Sequence, residues 1–282
     1  MKINRSFLEL NLAIIFLSTS GVFGRPILMT PTLTIWWRCA IAMTIMLGFV
    51  KWMKYDLKIK RRSHYSIIFI SSFLLAAHWV SYFYSLSLSN IAIALITLHT
   101  FPAMTAILEP IILKTKFKLY HIGLSLMIIA GLYIILPKGE ENQHIIPGII
   151  AGLISALTYA LRNIYTRKVI TDYNGSVMML YQLIIMTILL VPFLFIESNA
   201  TFHIDWPYIL GVAILTTCLG HTLFVQNLKN YTASTISLLV SIVPVYGIIW
   251  GVIFLNEIPG FNVVLGGAII LAAFVIESRR SN

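Results

Sequence analysis

Ten apolar runs separated by short polar loops fill almost the whole chain, and this limits the possible folds more than any motif does. The runs fall near 7–24, 33–51, 65–86, 91–113, 119–136, 146–168, 175–196, 206–228, 232–254 and 261–277. Each is long enough, or nearly so, to cross a hydrocarbon layer about 30 Å thick as a helix. Of the 282 residues, 59% are hydrophobic and 11% charged, whereas soluble domains carry about 25% charged residues. The expectation is an all-α, polytopic membrane protein with ten transmembrane helices. Lys2 and Arg5 precede the first run as in a signal peptide, but the run is long and no small-residue cleavage pattern follows. That predicts an uncleaved first span.

The net charge of +10 does not mark a nucleic-acid binder, because the basic residues sit in short loops and form no continuous face. They read instead as topology. With the N-terminus inside, sixteen of the twenty Lys and Arg residues fall in cytoplasmic segments, against Arg25 and Lys138 outside; Arg38 and Arg162 lie within spans. Glu140, Glu141, Asp205 and Glu257 fall in outer loops. Both termini are expected in the cytoplasm.

One stretch occurs twice. Tyr84–Glu109 (YSLSLSNIAIALITLHTFPAMTAILE) and Gln226–Gly251 (QNLKNYTASTISLLVSIVPVYGIIWG) each end one apolar run, turn over small or polar residues, and enter a run with a central proline. Setting Pro102 against Pro244 also aligns Leu86 with Leu228 and Ile107 with Ile249. Five spans per half force the second half to enter from the opposite side, so the repeats have inverted topology. The expected division is a first five-helix repeat at 1–136, an outer linker at 137–147 and a second repeat at 148–282.

These turn-then-proline segments resemble the EamA family of the drug/metabolite transporter (DMT) superfamily. So do Ile253–Ile258 (IFLNEI), with Glu257, and the glycine-bearing last spans of each half around Gly123, Gly131 and Gly266. The likeness covers nearly the whole chain. It implies a secondary carrier in a bacterial-type cytoplasmic (inner) membrane, with a cavity lined by spans one, three, four, six, eight and nine. It also implies amino acids and related metabolites as substrates, usually exported.

The residues themselves mark a candidate substrate pathway. Pro102 and Pro244 each remove a backbone donor and push away a carbonyl four residues earlier, those of Leu98 and Val240. In hydrocarbon such kinks are expected to face protein or water. His78, His99 and His221 lie deep within spans, where ionisable groups usually face the bundle interior; each fits either a proton relay or a neutral bond across helices. Tyr82, Tyr159 and Gln226 complete the pathway set, with aromatic surface suited to a ring or an amine. Arg38, in Trp36–Cys39 (WWRC), fits snorkelling to the outer surface or anchoring of a carboxylate or phosphate. Arg162 can snorkel to the inner surface or act with Arg25 as a gate. Glu109 fits an ion pair with Lys114 or proton coupling, the latter shared with His78 and His221.

Other functions fit less well. The chain has no Walker A sequence, no HExxH and no G-x-S-x-G, which argues against ATP-driven transport and against a polytopic membrane enzyme. A channel would call for a charged ring or a repeated filter loop. Export of lipophilic cations or drugs is the alternative within the carrier class, with Glu109 as its carboxylate. Cys39 and Cys218 sit far apart in apolar runs, and no histidine pair has metal-ligand spacing. No cofactor or metal is expected. The expected partners are a small-molecule substrate, the lipid bilayer and protons as a coupling ion, and a monomer could suffice.

Overall fold

In the computed structural model, residues 5–24, 26–89, 94, 97–135, 146–197, 201–255 and 260–281 are described. Arg25, Lys138, Glu140, Glu141, Glu257 and most of the 137–147 linker lie outside them. Every regular element among the described residues is helical.

The elements are α1 (Arg5–Gly24, interrupted at Thr19), α2 (Pro31–Trp52), α3 (Arg62–Leu88), α4 (Phe101–Leu113), α5 (Leu119–Ile135), α6 (Ile146–Val169), α7 (Gly175–Leu190), α8 (Phe202–Asn227), α9 (Ala233–Val240), α10 (Val243–Leu255) and α11 (Phe261–Ser281). Six of these segments are long and apolar enough to cross a membrane: α1, α2, α3, α8, α6 carried on to Asp172, and α7 carried on to Ile196. Local chemistry sets several ends. Pro31 opens α2, where its missing N–H removes no helical bond. The Asn174 side chain accepts from Ser176 N at the start of α7, and Thr232 accepts from Thr235 N at the start of α9. Lys114 closes α4 in the left-handed region, φ 53°, with its N–H on Pro110 O.

The central prolines do not kink continuous helices. Pro102 is the second residue of α4 and Pro244 the second of α10. Each follows a two-residue turn, His99–Thr100 or Ser241–Ile242, so the runs read as single spans are broken helices. At the N2 position a backbone N–H would have no intrahelical acceptor, so a proline, which lacks one, costs no helical bond there. The two breaks share a pattern: Ala103 N donates to Thr100 O at 3.1 Å, and Val245 N donates to Ile242 O at 2.9 Å.

The chain packs as two compact units, each drawing on both halves of the sequence. One comprises Met1–Ala76 and Tyr165–Asn230, the other Ala77–Ile164 and Tyr231–Asn282. In the first unit, α2 packs along α7 and α8, and α1 lies on α8. Within α8, Val212–His221 is π-helical, beginning five residues beyond Pro207. Asp205, expected in an outer loop, instead lies in the first turn of α8 and is fully buried. Its two carboxylate oxygens accept from Leu28 N at 3.0 Å and Met29 N at 2.9 Å, which holds the chain just ahead of α2.

In the second unit the principal seam joins α5 and α11. Leu124, Ile128 and Leu132 meet Ile270 and Ala273, with Leu238 of α9 in the same cluster and Val245 of α10 packed against it. The helices approach closely at Gly131, where a Cβ would stand 2.8 Å from Gly266 O. Gly131→Val is expected to destabilise the detergent-solubilised protein by about 1–3 kcal/mol through overpacking. A thermal-unfolding midpoint equal to wild type would show that the approach is not constrained.

Candidate functional site

His78 and Tyr82 lie four residues apart on α3, and Ser155, Tyr159 and Arg162 recur at helical spacing on α6, so each set shares a face. In the second unit these faces meet. The His78 and Tyr159 rings stack with centroids 4.2 Å apart, Tyr82 lies 6.5 Å from His78, and Phe101 meets the Tyr159 ring edge-on at 4.9 Å. His99 follows at 6.0 Å from Phe101. Thus Tyr82, His78, Tyr159, Phe101 and His99 form one continuous row of rings beside the break that starts α4. All but Tyr82 are buried. The row depends on a close approach between α6 and the segment before α4: a Cβ on Gly152 would fall 1.9 Å from Thr97 Oγ1.

Hydrogen bonds tie the His78 ring to Ser155. Nδ1 lies 3.1 Å from Ser155 O and 2.7 Å from Ser155 Oγ, while the Ser155 hydroxyl donates to His78 O at 3.0 Å. A carbonyl only accepts, and a hydroxyl has one hydrogen to give. With that hydroxyl turned to His78 O, the arrangement suits an Nδ1–H donor directed at Ser155. One turn beyond Tyr159, Arg162 is fully buried, with Nη1 donating to Asn163 Oδ1 at 3.1 Å. The expected snorkelling of this guanidinium to the inner surface is not seen, because its neighbours enclose it. Its expected partner Arg25 lies outside the described residues.

The remaining candidates fall elsewhere. Arg38, in the first unit, is 3% exposed; its Nε donates to Thr217 Oγ1 at 2.7 Å and Nη2 to Thr216 Oγ1 at 3.2 Å. The guanidinium thus turns onto the π-helical stretch of α8 rather than to an outer surface. His221 ends that stretch and is buried. Gln226 Oε1 accepts from Gly175 N at 2.6 Å, so it caps α7 together with Asn174. Pro244 is buried at the start of α10, in the second unit. At the end of the 55–61 loop, the Tyr173 hydroxyl accepts from Lys60 N at 3.0 Å and lies 2.8 Å from His64 Nδ1. Burial raises the pKa of the Tyr173 phenol.

Glu109 does not form the expected ion pair with Lys114. Its carboxylate accepts from Ala233 N and Ser234 N, each at 2.7 Å, and from the Ser234 hydroxyl. These are the first N–H groups of α9, left without intrahelical acceptors and lying at the positive end of the helix dipole. The side chain of one broken span therefore caps the first segment of the other. Sequence reasoning missed Asp205, the Thr216–Thr217 pair and the buried His121–Glu277 pair. The only signal for the first was an acidic residue two positions before Pro207. Glu109→Ala is expected to speed hydrogen exchange at Ala233 and Ser234 and to destabilise the protein by about 1–3 kcal/mol, since buried donors lose their acceptor. Exchange unchanged from wild type would contradict the capping role.

Comparison with known proteins gives a consistent result. The model of the EamA-like transporter family matches residues 7–136 and again 146–278. An uncharacterized transporter of Archaeoglobus fulgidus is 26% identical over 199 residues, covering 70% of this chain and 69% of that protein. The pseudopaline exporter CntI of Pseudomonas aeruginosa (strain UCBPP-PA14) is 22% identical over 206 residues, covering 72% of each. A solved crystal structure superposes with a TM-score of 0.81 at 15% identity, covering 98% of this chain and 97% of that one. At that identity the likeness shows the fold.

Proposed function

The chain belongs to the EamA-like transporter family, and from that premise we propose an inner-membrane secondary carrier that exports small amino-acid-like metabolites by alternating access. It is a multi-pass membrane transporter; the substrate class, the direction and the membrane are our reading. The observation that carries this reading is the row of rings from Tyr82 to His99, set beside the break at Pro102. A buried aromatic wall next to a broken helix offers flat apolar surface together with backbone groups released from helical bonding. Similarity to an exporter favours efflux. Ten spans as two inverted repeats, with both termini cytoplasmic, follow from the loop charges and the doubled proline segment.

Within this reading His78 both packs against substrate and carries the coupling proton. Nδ1 is committed to Ser155, so a proton added at Nε2 converts the ring to imidazolium without disturbing that bond. Arg162, one turn along α6 from Tyr159, supplies positive charge for a substrate carboxylate. Arg38 and His221 serve a second polar site in the first unit. The lipophilic-cation alternative would use the carboxylate of Glu109, which the structure commits to α9.

A thermal-shift panel on the purified protein tests the proposal, with amino acids, amines, nucleosides, nucleotide sugars and quaternary cations. A ligand at about 100 times its Kd adds about 2.7 kcal/mol. Amino-acid hits that weaken in Tyr159→Ala and His78→Gln are expected. Hits confined to quaternary cations would overturn the substrate class, and amino-acid hits indifferent to both variants would overturn the site.

A further inference from the structure

At one end of the α5–α11 seam, the apolar packing gives way to two buried titratable side chains. His121, in the first turn of α5, is 4% exposed, and Glu277, in the last turns of α11, is 1% exposed. His121 Nε2 and Glu277 Oε1 are 3.5 Å apart, beyond the roughly 2.7–2.9 Å of a charge-assisted hydrogen bond. Neither His121 Nε2 nor Glu277 Oε2 has a hydrogen-bond partner among the described residues. Buried polar groups are normally satisfied, and an isolated buried carboxylate is strongly disfavoured.

Among the described residues, nothing else in the surroundings balances the charge. On α5, Tyr120 meets His121 edge-on at 4.4 Å and takes the Arg280 guanidinium over its face at 4.2 Å, so that cation is directed at a ring. Ser125 donates to His121 O at 2.7 Å. Among the elements packed on this pair, α4 carries Glu109, whose oxygens are held by α9. α9 has no titratable side chain, and α10 contributes Tyr246. Arg279 is exposed, and Lys118, just ahead of α5, is exposed as well. The pair is neutral overall when it holds one proton, shared between carboxylate and imidazole. Loss of that proton leaves a buried carboxylate beside a neutral ring, and gain of a second leaves an imidazolium beside a neutral acid.

We propose that His121 and Glu277 together form a proton-binding site of this protein, exchanging one proton with water at that end of the α5–α11 seam. The site is separate from the ring row around His78. It has a structural route to the broken helix, because Leu238 of α9 and Val245 of α10 pack on the same seam. A role for this proton in transport rests on the carrier reading, whereas proton binding itself does not.

Infrared difference spectroscopy of the reconstituted full-length protein tests the site directly. Spectra are recorded on stepping between about pH 8 and pH 5, the range in which an unperturbed imidazole changes charge. A difference band in the carboxyl C=O or imidazole region is expected in wild type and absent from both Glu277→Gln and His121→Gln. Glu109→Gln should keep it. If Glu277→Gln fails to fold, Glu277→Asp replaces it and should shift the band. Wild-type and variant spectra that coincide would overturn the proposal, leaving a buried pair that does not titrate. This readout needs no substrate, so a silent ligand panel leaves it unaffected.

Discussion

Inside a bilayer no water is available to a backbone N–H or C=O that leaves the helical pattern, and the architecture of this protein follows from how it meets that constraint. Its helices are interrupted at Thr19, at His99–Thr100 and at Ser241–Ile242, and α8 loosens to π geometry over Val212–His221. Elsewhere, at helix starts and in the turn before α2, side chains from other helices take up backbone N–H groups that lack a helical acceptor. Asp205 takes the N–H groups of Leu28 and Met29, Glu109 takes those of Ala233 and Ser234, and Gln226 takes that of Gly175. Two buried acids thus bind backbone N–H groups, Glu109 as a cap of α9 and Asp205 on the turn before α2, which accounts for their carboxylates within so apolar a chain.

The same economy shapes the candidate site. Prolines placed at the second position of α4 and α10 stop the preceding segment without removing a bond from the following one. Beside the break before α4, Phe101 meets Tyr159 and His99 meets Phe101, while Gly152 of α6 lets Thr97, just ahead of the break, come close. In the other unit Arg38 engages two adjacent threonines on the π-helical stretch.

Much of this was legible in the sequence. Hydropathy gave an all-helical membrane protein, and the doubled proline segment marked where both breaks fall, although each read as a kink within one continuous span. His78, Tyr82, His99 and Tyr159, picked out as ionisable or aromatic groups inside apolar runs, lie in one row of rings with Phe101. What sequence could not supply was partner identity across long separations. Glu109 and Lys114 are five residues apart, which favoured an ion pair, yet Glu109 pairs with groups about 124 residues away. Asp205 sat where the hydropathy trace fell off and so read as loop. His121 and Glu277 lie near the ends of apolar runs, where a polar residue is unremarkable until the α5–α11 seam brings the two together. Snorkelling stayed open for Arg38 and Arg162, beside an anchoring or gating role, because depth along a span says nothing about which neighbours enclose a side chain.

If the protein is a carrier whose breaks are its moving parts, restoring helix at a break should slow it. The direct measurement is counterflow of a labelled amino-acid mixture in proteoliposomes, comparing wild type with Pro102→Ala and Pro244→Ala. Alanine lets the flanking segments join. The account predicts slower exchange in both variants, with membrane insertion and thermal stability retained. Exchange at the wild-type rate in both would contradict it.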